Sequence, residues 1–447
     1  QPSQSAAAEL AQCRTKYIHE ICFFGNNVEF SVFLLCNLFS VKAGLACDAR
    51  QRKNQVALQL QHSMRPQHSP DDIARGRFVS GLRSFILNDL AQDMRHAYDT
   101  RAARSFEKLE GRTPQSSAEA HKAMRPDPAF KVYSACRVHA QSMVWDSVIP
   151  VVVRNSDQMD RAVDETNAMQ QVALDPNLIV PRNVEGLDVH LMPGGYAKRD
   201  ISQVAAGAIY DQGLAVFSMG LMGENLDDIG LSMSAYIRAA FPDFKPRDIL
   251  DVGCTIGHNT LPWKMAYPEA AVHAVDVAAP GLIYGATRAK LQKADIHFHQ
   301  MNAESLGFES GSFDVVFSSM FLHEIPKKET PQILREAYRV LRPGGLMLHM
   351  ELPPDDQLSA WDSFYLDWDG HYNNEPFYQA FRASKLSALV SAAGFAPGDY
   401  LQAVVPSWNA LGETRWRETL SQTHAVNSDK TGRLTTGIRW FFFGARK

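Results

Sequence analysis

The stretch Ile249-Leu-Asp-Val-Gly-Cys-Thr-Ile-Gly257 decides the fold of this chain. An apolar run that suits a buried strand ends in a turn carrying Gly253 and Gly257, and a helical pattern follows. Glycine lets the backbone approach a ligand closely, with no Cβ in the way. In open α/β sheets that approach happens at the carboxyl ends of the strands. Asp251, at the strand end, places a negative charge there, which suits an ammonium group better than a phosphate.

Downstream the pattern repeats. AVHAVDV (271–277), IHFHQMN (296–302), FDVVFSS (313–319) and GLMLHMEL (345–352) read as strands, with helical stretches such as 330–341 between them. Short β-rich runs alternating with helices predict βαβ units. The expected fold class is therefore α/β: a doubly wound, mostly parallel sheet with helices on both faces. Asp276 ends the second strand, one strand–helix–strand step after Asp251. A carboxylate there can accept both ribose hydroxyls, which serves any adenosine ligand. A dinucleotide site wants G-x-G-x-x-G after the first strand. Here Thr255 and His258 stand at the second and third glycine positions. The spaced glycines together with Asp251 therefore favour S-adenosylmethionine over a nicotinamide dinucleotide.

At this point residues 246–447 resemble the class I S-adenosylmethionine-dependent methyltransferases, in the group of small-molecule and quinone methylases. The matching segments are DVGCTIG (251–257), AVDV (274–277), NAESL (302–306), FDVVFSSMFLHEI (313–325) and LREAYRVLRPGG (334–345). The resemblance implies a Rossmann-like sheet, S-adenosyl-L-methionine as cofactor, and roles for particular residues. Gly253 and Gly257 would pass under the methionine part, with Asp251 nearby. Asp276 would hold the ribose hydroxyls, Asn302 and Ala303 would flank the adenine, and Ser319 would lie near the methyl donor. Residues 342–345 would form the turn before the fifth strand. IRWFFF (438–443) would be a last strand, antiparallel at the edge region. The chain departs from the family in carrying Thr255 where a third glycine is frequent, and Asn302 where an aspartate is frequent.

Methyl transfer needs alignment, a dry site and often a base for the acceptor's proton. His323, after the fourth strand, is either such a base or a structural histidine at a helix start. Glu324 beside it reads as a helix N-terminal acid. The segment 361–372 (WDSFYLDWDGHY) is dense in aromatics and acids. It either packs as a helix on the sheet or contacts substrate, with Asp367, Asp369 or His371 as base. No spacing in the sequence argues for a metal. An Asn-Pro-Pro-aromatic segment is absent after the fourth strand, where SSMF (318–321) stands instead. That absence favours a small organic acceptor over exocyclic base amines or amide nitrogens.

Upstream, Ser69-Pro70-Asp71-Asp72 reads as a helix start, with Ser69 as cap. Helical stretches follow at 129–148, 204–222 and 226–241, and short strands are expected at 177–181 and 187–191. The expected domains are a poorly defined extension at 1–68, a mainly helical lid, substrate-selecting or dimer-forming region at 69–245, and the methyltransferase domain at 246–447. Met192–Tyr196 and Tyr210 are expected on the substrate side.

The 447 residues are 45% hydrophobic and 21% charged, enough for a sizeable core. A net charge of -4 argues against a phosphate-tracking surface and so against nucleic acid. The six cysteines make no CxxC pair and suit a reducing cytoplasm. The apolar run at 30–41 is shorter than the ~18–20 residues that span a bilayer, so stable membrane insertion is not expected. The function expected is methylation of a small-molecule acceptor on O, N or C, with a homodimer as one arrangement. The alternative is a catalytically silent methyltransferase-like scaffold that binds a protein partner through 69–245.

Overall fold

A computed structural model describes residues 62–198, 200–422 and 439–447. They fall in the second of two units of the chain, Gln55–Lys447. Among them, eight strands build one sheet in the order β1-β4-β3-β2-β5-β6-β8-β7. The strands are β1 (Val172–Ala173), β2 (Asp248–Val252), β3 (Ala271–Asp276), β4 (His297–Gln300), β5 (Phe313–Ser319), β6 (Leu341–Glu351), β7 (Tyr400–Pro406) and β8 (Arg439–Arg446). β1 to β6 run parallel to their neighbours, and β8 pairs antiparallel with both β6 and β7. The order reverses at β2, whose two neighbours are β3 and β5. That is where a doubly wound sheet opens a crevice.

The sheet is covered on both faces, which is why its central strands read as continuous apolar runs rather than alternating ones. One face packs Ile249, Val272, Phe298 and Phe317 against Trp263, Leu282 and Met233. The other packs Leu250, Val316, Met347 and Phe441 against Ile333, Leu334 and Val390. Trp263 stacks on Phe317 with ring centroids 4.5 Å apart.

Seven helices frame the crevice: α1 (Pro70–Phe85), α2 (Pro128–Arg154), α3 (Ala205–Phe217), α4 (Asp228–Ala240), α5 (Ala279–Leu291), α6 (Thr330–Val340) and α7 (Ala360–Tyr372). Ser69 caps α1 through a reciprocal box with Asp72, as the sequence predicts. Among the described residues, helices upstream of β2 touch the sheet layer at several places. α4 lies directly on it through Ile229, Met233 and Ile237. α3 packs on α5, with Ala208 and Ile209 in one cluster with Ile283 and Tyr284. α7 buries Trp361 and Phe364 among Tyr98, Phe130 and Tyr133. None of the helices in the described residues is long and apolar enough to cross a membrane. The apolar run at 30–41 lies outside those residues.

Three expectations change. Neither 177–181 nor 187–191 is a strand. The first is a turn in which Asp175 Oδ1 accepts the Asn177 N–H, and Ile179 is 89% exposed, so that apolar run has no sheet to join. The second is a 3-10 turn, Val189–Leu191, with His190 at φ 57°. The residues that do add an edge strand are Val172 and Ala173, beside β4. Arg342–Gly345 lies within β6 as a bulge, because the pairing with β5 slips between Phe313 and Val315. The last strand does pair antiparallel in the edge region, inserted between β6 and β7. β7, which the sequence reading passed over, is outermost, and Ile438 falls outside the described residues.

The turn after β2 carries three left-handed residues: Gly253 at φ 75°, Thr255 at φ 51° and Gly257 at φ 66°. A Cβ on Gly253 would fall 2.2 Å from the Phe321 ring, so a side chain is ruled out there twice over. A β-branched residue in this conformation is strained by about 1–3 kcal/mol. Thr255→Gly therefore raises the melting temperature in a thermal melt, with about 1 kcal/mol gained after the entropy cost of glycine. A lower melting temperature would show that the threonine side chain, not the conformation, dominates.

Candidate active site

A cavity of about 260 Å³ opens at the carboxyl ends of β2 to β6. The turns after those strands form its floor. Trp145 of α2, Tyr196, and Tyr210, Leu214 and Phe217 of α3 form its roof.

One end is built by β2 and β3. Asp251 is buried, and its Oδ2 accepts the Thr260 hydroxyl at 2.6 Å. Its Oδ1 is buried with no partner. Burial, reinforced by the nearby Asp276 charge, raises its carboxyl to about 7. Asp276 accepts the Thr255 N–H on Oδ2 and the Ala278 N–H on Oδ1, both at 2.9 Å. Burial raises it as well, against the pull of those backbone bonds. A carboxylate has about four lone-pair sites, so two hydroxyls still fit on it. Met301, Asn302, Ala303 and Ile333 continue the wall along the tip of β4.

The other end was largely missed from the sequence. His323 is 1% exposed, and its Nδ1 lies 2.6 Å from Glu351 Oε2. Glu351 is the last residue of β6, and its Oε1 accepts the Phe321 and Leu322 N–H groups at 3.0 and 2.6 Å. Glu375 bridges two histidines, with Oε2 3.5 Å from His323 Nε2 and Oε1 3.3 Å from His190 Nδ1. His190 Nε2 meets Glu324 Oε1 at 3.0 Å, and the Tyr196 hydroxyl donates to the same oxygen at 3.1 Å. The His190 carbonyl accepts Trp145 Nε1 and Gln141 Nε2, which fixes this loop to α2. Burial alone would depress both imidazoles. The carboxylates override it: His323 rises to about 9, chiefly through Glu351, and His190 to about 10 through Glu375 and Glu324. Both are imidazolium at neutral pH. Glu351, the acid in the fifth-strand run, was not singled out; its place at a strand end was the signal that could have found it. His190 and Glu375 carried no motif.

The remaining expected residues separate. Asp251, Gly253, Asp276, Asn302, Ala303, Ser319 and His323 line the cavity, as do Tyr196, Tyr210 and Asp369. Gly257 does not. Its N–H bonds to the Cys254 carbonyl, and its Cα faces Phe298, where a Cβ would fall 2.9 Å from the ring. Asn302 Oδ1, the oxygen expected to meet an adenine amine, accepts the Glu304 N–H at 2.9 Å and caps its own turn. Asp367 is buried in an ion pair with Arg382 and lies off the cavity. His371 is exposed, off the cavity too, and stacked on Trp368. Asp369 reaches the cavity but is held at 2.7 Å by buried Arg137. Met192 is buried in the helical core. Among the described residues, no group of three His, Cys, Asp or Glu is placed to hold a metal ion.

Comparison with known proteins bears on the same region. Residues 249–345 match the family described as a methyltransferase domain. The malonyl-[acyl-carrier protein] O-methyltransferase 1 of Coxiella burnetii is 28% identical over 173 residues, 38% of this chain and 56% of that protein. The demethylmenaquinone methyltransferase of Thermus thermophilus is 33% identical over 109 residues, 24% of this chain and 49% of that protein. The chain thus spans about half the length of these curated relatives. Among solved structures, the phosphoethanolamine N-methyltransferase 2 of Haemonchus contortus aligns at a TM-score of 0.36 and 21% identity, over 57% of this chain and 61% of that one. Residues 249–345 of the chain thus carry a methyltransferase domain.

Proposed function

We propose that the protein transfers a methyl group from S-adenosylmethionine to a small organic acceptor. The observation that carries this reading is one cavity with two unlike ends. Asp251 and Asp276 stand at one, and the buried His–Glu cluster at the other. The unpartnered Asp251 Oδ1 fits the donor's ammonium group, and Asp276 fits its ribose hydroxyls. The apolar wall at Met301, Ala303 and Ile333 fits an adenine face. Bound there, the donor supplies an electrophilic methyl group on sulfonium.

The chain's residues then have to hold the acceptor, keep water out and receive a proton if the acceptor atom carries one. Trp145, Tyr196, Tyr210, Phe217 and Tyr378 give the acceptor end an aromatic wall. No Lys or Arg is among the described residues that line the cavity. The two imidazolium groups there, His190 and His323, are already paired with Glu324, Glu351 and Glu375, so an acceptor bearing a phosphate or a free carboxylate would find no free cation, and a neutral or amine acceptor suits the cavity. His323, expected as the base, is an imidazolium at neutral pH and has no free lone pair for the task. It holds Glu351 and Glu375 instead. Glu375, set between two histidines and open to the cavity, is the carboxylate placed to take the proton.

Three outcomes follow. Isothermal titration gives donor binding to the wild type, and Asp276→Ala weakens it at least about tenfold, since hydrogen bonds to a charged group are lost. Unchanged binding would move the ribose elsewhere. Donor affinity rises from pH 5 to pH 8. The Asp251 carboxyl, raised to about 7, is protonated at the low end and mostly an anion at the high end. Asp251→Asn removes that dependence, and a wild-type affinity flat across the window argues against an ammonium on Asp251. Finally, labelled donor incubated with cell extract, followed by mass analysis, yields a methylated small molecule. Glu375→Gln slows the labelling by about 10²–10⁴-fold while leaving donor affinity intact. A Gln variant as fast as wild type would remove Glu375 from the proton path.

A further inference from the structure

The lining that disfavours an anionic acceptor raises a question about the donor itself. An α-amino acid end carries a carboxylate as well as an ammonium group, and no described Lys or Arg faces the cavity to meet it. His190 and His323 are already held by carboxylates in the other end of the cavity, and the ammonium and carboxylate share one carbon, so the partner sought is a neutral donor on the Asp251 side. His258, in the turn that follows the Asp251 strand, is the candidate. It follows Gly257 in the turn, it is 6% exposed, it lines the cavity, and its Nδ1 is buried with no partner.

Which atom carries the proton is settled by its neighbours. The Gly230 N–H donates to Asn259 Oδ1 at 3.0 Å, which fixes the orientation of that amide. Asn259 Nδ2 therefore faces His258 Nε2, 3.2 Å away, as a donor. His258 Nε2 must accept, so the single proton of a neutral ring sits on Nδ1. The ring is neutral: burial, with Arg288 nearby, lowers it to about 3. The Tyr210 ring, 5.9 Å away, closes the other side. The result is one uncharged N–H, its tautomer fixed and its nitrogen without a protein partner, on a residue that lines the same cavity as Asp251.

We propose that His258 binds the carboxylate of the donor's amino-acid end through Nδ1–H, while Asp251 takes the ammonium. This rests on the donor reading above and specifies it. The pair then recognises the zwitterion rather than the nucleoside alone. It also accounts for a histidine where a dinucleotide turn would carry its third glycine.

The test compares binding of S-adenosylmethionine with that of decarboxylated S-adenosylmethionine, by isothermal titration, in the wild type, His258→Phe and His258→Asn. The wild type prefers the carboxylated compound by at least about tenfold. His258→Phe keeps a ring without the donor and binds both compounds alike, at the wild type's affinity for the decarboxylated one. That retained affinity shows the turn is intact; His258→Ala gives the same readout should the phenyl ring disturb it. His258→Asn returns an N–H near the Nδ1 position and restores the preference. A preference that survives in His258→Phe and His258→Ala overturns this inference and leaves the donor reading standing. A wild type that binds neither compound overturns both.

Discussion

The cavity depends on carboxylates that end one strand and hold the turn after its neighbour. Asp276, closing β3, accepts the Thr255 N–H from the turn after β2 and the Ala278 N–H from its own. That bond holds Thr255 in a left-handed conformation it would otherwise avoid. Glu351, closing β6, does the same for β5 through the Phe321 and Leu322 N–H groups. Bonds of this kind to an ionised group are about twice as strong as neutral ones. Each end of the cavity is thus organised by a charge the sheet buries, and each such charge faces the hollow.

The two ends differ in where their residues come from. The end with Asp251 and Asp276 is built within the stretch that matches the methyltransferase family, 249–345. The cluster at the other end draws His190 from the segment between β1 and β2, and Glu351 and Glu375 from after that stretch. Removing one member of a buried charge network costs several kcal/mol, because its partners are left unpaired. The loop at 190 is therefore coupled to the sheet. α2, which fixes that loop through Trp145 and Gln141, is part of that end's architecture.

Much of the fold was legible because a parallel sheet buried on both faces leaves apolar runs at regular intervals, and because Ser69-Pro70-Asp71-Asp72 spells out a helix cap. That Asp251 and Asp276 share a cavity was legible for a related reason: both sit at fixed offsets from strand ends. What failed was set by long-range contact. Nothing local says that Val172 pairs with Phe298, or that Asp367 finds Arg382 rather than a substrate. Gly257 was read as a ligand contact, and only the packing of Phe298 beneath it shows its other use. His323, read as either a base or a structural histidine, lines the cavity. Its charge state follows from Glu351 and Glu375, neither of which its own motif contains.

The central claim is that a sulfonium nucleoside lies across the tips of β2 and β3. A crystal structure grown with S-adenosylhomocysteine tests it most directly. The account predicts density in the cavity with the ribose hydroxyls on Asp276 and the amino group on Asp251. Density elsewhere, or a cavity that stays empty at saturating ligand, would contradict it.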